Sequence, residues 1–125
     1  MRKIPLNLIL ASAALLAIFH ALGTYFYIYW REPGFDWIVH FLGGFFVTIT
    51  LLYVAFAIRN FPNIFVILTL AVLFALAVGI AWEVFEVDTG AAIVSLRGYW
   101  SNTAGDILFD IIGSLMAVSY VYVSK

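Results

Sequence analysis

Four apolar runs govern what this chain can become: Ile4–Trp30, Trp37–Ile58, Ile64–Val87 and Thr103–Val123. Each is close to or beyond the roughly 20 residues that a helix needs to cross a bilayer. Arg31-Glu32-Pro33-Gly34 and Arg59-Asn60-Phe61-Pro62-Asn63 read as turns between them. The third connection, Asp88 to Asn102, is longer and holds the apolar piece Ala91–Leu96, which would lie along the membrane interface or dip into it. The expectation is an all-α polytopic membrane protein, with four transmembrane helices in an antiparallel bundle and a single domain over residues 1–125. The first run is longer than a signal-peptide core, so it reads as a retained helix.

The charges give an orientation. Only 10% of the residues are charged, against about 25% in a soluble domain, so their placement carries information. With both termini cytoplasmic, Arg2, Lys3, Arg59 and Lys125 lie inside, and only Arg31 and Arg97 lie outside. All seven acids (Glu32, Asp36, Glu83, Glu86, Asp88, Asp106, Asp110) then fall at the outer end. So do all four tryptophans, Trp30, Trp37, Trp82 and Trp100, as an aromatic belt would. The expected location is the cell (inner) membrane. Six scattered basic residues form no nucleic-acid patch. The absence of cysteine excludes thiolate metal sites and a cysteine nucleophile.

Three of the runs carry paired ionisable residues near the outer end. Asp36 and His40 are four apart, Glu83 and Glu86 three apart, and Asp106 and Asp110 four apart. Each spacing places both members on one helix face. Small residues continue these faces: Gly43 and Gly44 below His40, Gly79 and Ala75 below Glu83, Gly113 and Ala117 below Asp110. Small residues let helices approach closely in membranes, so the six polar side chains are expected to point inward and converge.

Simpler explanations exist at several positions. Asp36 would serve equally as an N-cap, and Asp106, three after Thr103, fits a capping pattern. Glu32 and Asp88 read as solvated loop charges, and Arg31 as a partner for Glu32 or lipid headgroups. Glu83 and Glu86 resist such an explanation, because they sit at the helix end where the dipole disfavours negative charge. His20, about three turns from the cluster in a helix of 3.6 residues per turn, reads as a packing or hydrogen-bonding residue, with a proton relay as the lesser alternative.

Five carboxylates and one imidazole cannot all hold their charges in a low-dielectric pocket without a counter-ion. A divalent metal held by Asp36, His40, Glu83, Glu86, Asp106 and Asp110 is the direct remedy. An oxygen-rich set suits Mg²⁺, Ca²⁺ or Mn²⁺, and the histidine also admits Zn²⁺ or Fe. The pattern is not the ferritin-like one, which needs Glu-x-x-His on two helices. At headgroup level such a metal would bind phosphate and activate water. The expected chemistry is hydrolysis or transfer at a lipid-linked phosphate or ester, with Glu83 and Asp110 as catalytic residues. Arg97 would neutralise an anionic group or pair with the glutamates, and Tyr99, Trp100, Ser101 and Asn102 would complete a lid. The expected partners are membrane lipid and a lipid-linked substrate.

The run Asp36-x3-His40-Phe41, Glu83-x2-Glu86, Arg97, Asp106-x3-Asp110-x2-Gly113 resembles the VanZ-like membrane proteins and the related YjdF-like group. The VanZ-like signature reads Asp-x3-His, Glu-x2-Gln, Arg, Asp-x3-Asn-x2-Gly, so Glu86 and Asp110 make the present site more acidic. The resemblance, covering Asp36 to Gly113, implies a role near the cell envelope, since the VanZ-like family is linked to resistance to a lipoglycopeptide antibiotic.

Two other functions fit the same residues. A structural or accessory protein would use the cluster, with an ion or shared protons, to hold helices together. A proton- or cation-coupled carrier would need a path through the nearly apolar inner half, which a homodimer would make roomier.

Overall fold

The computed structural model describes residues 3–59 and 63–124. Arg2 and Lys125, used above for orientation, and Asn60, Phe61 and Pro62 of the second turn lie outside these residues. Among the described residues the regular structure is all helical: α1 (Leu6–Tyr25), α2 (Ile28–Arg31), α3 (Phe35–Ile58), α4 (Ile64–Thr89) and α5 (Tyr99–Val123). The four long helices are long and apolar enough to cross a membrane, with mean hydropathy from 1.6 in α5 to 2.9 in α4.

The first apolar run does not stay one helix to Trp30. It ends at Tyr25, and Tyr27 adopts a left-handed backbone (φ 57°) that turns the chain into the short α2. Gly23 explains where the returning chain goes. A Cβ there would strike the rings of Tyr29 and Phe35, so its absence lets both lie against α1. Hydropathy cannot register this turn, because Tyr25, Phe26 and Tyr27 are themselves large aromatics.

The fourth span also begins earlier than expected, at Tyr99 rather than Thr103. Gly98, at φ 85°, supplies the left-handed residue just before the helix. Tyr99, Trp100, Ser101 and Asn102, expected in a lid, form the opening turn of α5. Gly90, at φ 77°, closes α4 at Thr89, and Asn63 opens it by accepting the Phe65 N–H at 2.9 Å. Between α4 and α5 the Ala91–Leu96 piece is a string of turns with Ile93, Val94 and Leu96 exposed.

α3 packs most extensively on α5, α5 next on α4, and α1 rests on α3. α5 is the most enclosed span, 39% buried along its apolar window against 17% for α1. At one end the seam is apolar, built from Ile49, Leu52, Phe56, Ile67, Ala71, Ala117, Val118 and Val121. At its middle Thr48 Oγ1 donates to Ser114 Oγ at 2.8 Å, so these two fully buried hydroxyls satisfy each other. The opposite end, where the first turns of α3 and α5 meet the last turns of α4, is polar.

Candidate metal centre

Close backbone approach builds this end. A Cβ on Gly44 would collide with the backbone carbonyl of Asp110, and one on Gly113 with that of Phe41, so α3 and α5 touch main chain to main chain. A Cβ on Gly79 would meet the Asp110 carboxylate, which brings α4 against the same residue. Gly43, expected in the same packing role, has nothing within 4 Å of where its Cβ would be. It lines a cavity instead.

The imidazole of His40, 5% exposed, occupies the middle of the cluster. Its Nδ1 lies 3.2 Å from both carboxylate oxygens of Asp110. Its Nε2 faces three other carboxylates: Asp36 Oδ1 at 3.6 Å, Glu83 Oε1 at 3.8 Å and Asp106 Oδ2 at 3.8 Å. Asp36, His40 and Asp106 can each present one ligand atom such that all lie within 4.8 Å of one another. Ligands about 2.3–2.6 Å from a Ca²⁺-sized ion stand at most about 5 Å apart, so the three can share one cation. Asp106 is 1% exposed and Glu83 6%.

The simpler readings of Asp36 and Asp106 do not hold. Gly34, not Asp36, is the N-cap residue of α3, and Asp36 sits inside the first turn with its carboxylate toward His40. Asp106 lies well inside α5, beyond any cap, and accepts from Asn102 Nδ2 at 3.0 Å. Thr103 donates its hydroxyl to Glu83 Oε2 at 3.2 Å. These hydrogen bonds leave Glu83 Oε1, Asp106 Oδ1 and His40 Nε2 buried with no hydrogen-bond partner. Buried polar atoms are nearly always satisfied. Orphaned polar atoms on three neighbouring buried side chains fit a site completed by a bound cation.

The remaining expected residues are placed differently. Glu86 accepts from the Trp82 indole at 3.0 Å and lines a neighbouring cavity rather than the centre. Arg97 is exposed and, among the described residues, pairs with neither glutamate. His20 is not remote. Because α1 ends at Tyr25, His20 stands only five residues from its helix end. Its Nδ1 lies 2.8 Å from the Tyr29 hydroxyl, and its ring meets Trp82 edge to face at 5.8 Å. Tyr29, on the connection between spans, has its phenol pKa raised above the ordinary value, first by burial and then by the charges of Asp36 and Glu86. Sequence reading passes over Tyr29, and it gives Asn102 to a lid and Thr103 to a cap rather than to the carboxylates they bond. The four-residue spacing of Asn102 and Asp106 was the available signal for one of them.

Over residues 1–125 the chain matches the family model described as predicted membrane protein (DUF2238). The chain belongs to that family. With its four apolar helices, this DUF2238 member is a multi-pass membrane protein. No match was found among curated proteins or solved structures.

Proposed function

We propose that Asp36, His40 and Asp106, with Glu83 beside them, hold a divalent cation, and that this DUF2238 protein is a metal-dependent hydrolase or transferase acting on an envelope lipid or lipid-linked substrate. The observation that carries the reading is the buried His40 Nε2, which has no hydrogen-bond partner and faces three carboxylates within 3.8 Å. Asp110 on the other ring nitrogen completes the carboxylate–histidine arrangement that fixes a metal-binding tautomer. Mg²⁺, Mn²⁺, Ca²⁺, Zn²⁺ and Fe²⁺ are the candidates, and an imidazole among oxygens favours the transition metals.

Held by Asp36, His40 and Asp106, such an ion would supply Lewis-acid chemistry for a phosphoryl or ester oxygen and a more acidic bound water. Glu83, with Oε1 unpaired, serves as the base, and Asp110 positions His40. Arg97, exposed on the connection, meets an anionic group of the substrate. The helices form an antiparallel bundle with both termini cytoplasmic and the centre at the outer face. Lys3 and Arg59, at helix ends away from the cluster, support that orientation. The resemblance to VanZ-like and YjdF-like proteins supports an envelope role.

Metal analysis of the purified protein tests the centre. One tightly held divalent ion per chain is expected, lost in Asp106→Asn and His40→Gln while the helical spectrum persists. Failure to take up any of the five ions would overturn the reading. A structural ion is the second reading, favoured by the way the cluster joins α3, α4 and α5. It predicts that chelation melts the bundle and that the loaded protein turns over no lipid substrate.

A further inference from the structure

The metal centre borders two cavities of opposite character. His20, His40 and Asp110 are the polar members of a groove of about 350 Å³, lined for the rest by apolar residues of α1, α3 and α4 such as Ala13, Leu16, Ala17 and Val47. Asp36 opens instead onto a pocket of about 420 Å³, lined by Tyr29, Trp30, Glu32, Phe85 and Glu86 among others. His20 and Trp82 line both, so the two cavities share a wall.

The groove faces the bilayer. No Cα of α1 comes within 8 Å of any Cα of α4, although both flank the groove. At the cluster end the rings of His20 and Trp82 meet across this gap. Between two membrane-spanning helices, such a gap opens sideways onto lipid chains. The pocket, by contrast, offers the carboxylates of Glu32, Asp36 and Glu86 and several aromatic rings, with no lysine or arginine in its lining among the described residues. Carboxylates and aromatic faces together recognise an ammonium group.

We propose that one lipid with a cation-bearing head binds here, its chain in the groove between α1 and α4 and its ammonium in the acidic, aromatic pocket. This deepens the proposed function and rests on it for one point, that the linkage between chain and head lies beside the cation.

The test uses the full chain taken from vesicles containing equal phosphatidylethanolamine and phosphatidylglycerol, with retained lipid read by native mass spectrometry and metal by elemental analysis of the same samples. The expected result is one retained phosphatidylethanolamine, favoured over phosphatidylglycerol by about tenfold, the scale of one desolvated cation–π or ionic contact. Gly43→Leu, whose Cβ would have no atom within 4 Å, puts its side chain into the groove and should abolish retention at unchanged metal content. Ala17→Leu, from the opposite wall, should do the same. Glu86→Gln should keep a lipid but narrow the preference between heads. No retained lipid, equal retention of the two lipids, or retention unchanged by both groove-filling variants overturns the proposal. Metal without lipid leaves the metal centre standing and removes this inference. Lipid without metal does the reverse.

Discussion

His40 Nδ1 stands 3.2 Å from both oxygens of Asp110, and this turns Nε2 of the same ring toward Asp36, Glu83 and Asp106. Asp110 therefore aims the imidazole rather than competing for what Nε2 faces. Replacing it with asparagine keeps the shape but removes the charge that holds the proton on Nδ1. Asp110→Asn should weaken divalent-ion affinity about 10- to 100-fold, the usual effect of losing such a partner. Calorimetric titration of the detergent-solubilised protein measures this. Complete loss of binding would make Asp110 a direct ligand.

Metal binding and stability should rise together, because the ligands come from different helices. At a free-ion concentration about a hundredfold above the dissociation constant, stabilisation of about 2.7 kcal/mol is expected. Thermal unfolding with and without chelator reads it. In His40→Gln the two curves should coincide.

The glycines divide by what their missing side chains would meet. Gly44→Ala pushes a methyl into the Asp110 backbone, which cannot move without separating α3 from α5. A loss of about 1–3 kcal/mol is expected for such overpacking. Gly43→Ala, one residue away, meets nothing within 4 Å and should stay within about 0.5 kcal/mol of the parent. Denaturant unfolding in mixed micelles compares the pair. Equal effects would mean that α3 is rotated from the orientation described.

Much of the centre was legible in the spacing. Asp36 and His40, and Asp106 and Asp110, lie one turn apart, so each pair had to share a face. The division of labour was not legible. Nothing in a four-residue interval says that Asp110 takes one side of the imidazole and Asp106 the other, since this depends on how deeply α3 and α5 interlock at Gly44 and Gly113. Glu86 carried the same periodic signal as Glu83, yet the Trp82 indole one turn earlier draws it aside. The helix ends were misread where the signal is degenerate. Thr103-x2-Asp106 looks like a cap but lies inside a helix that the backbone of Gly98 starts earlier. The aromatic run Tyr25–Tyr27 reads as membrane although the helix ends at Tyr25 and the chain turns at Phe26 and Tyr27, and that reading puts the end of α1 five residues, about one and a half turns, too far from His20.

Tyr29 gives a pH dependence outside the spans. Its phenol pKa is raised above the ordinary 10.0 by burial and by the charges of Asp36 and Glu86. Above that pH the unfolded chain releases a proton that the folded chain keeps, so unfolding is favoured as pH rises. The parent should lose stability between about pH 9 and 11 more steeply than Tyr29→Phe, in which this group is absent. Urea unfolding at both pH values compares them, and parallel behaviour of the two proteins would refute the assignment.

The dominance of the α3–α5 seam has a consequence for biosynthesis. A ribosome delivers α3 and α4 to the membrane before α5, so Asp36, His40 and Glu83 enter the translocon without Asp106, Asp110 or Thr103. Their burial in lipid at that stage is unfavourable, which keeps the nascent helices near the aqueous boundary or in the company of the insertion machinery. The polar centre closes only when the last of these helices docks, and a chain interrupted before Tyr99 would present unpaired acids that quality-control proteases can recognise.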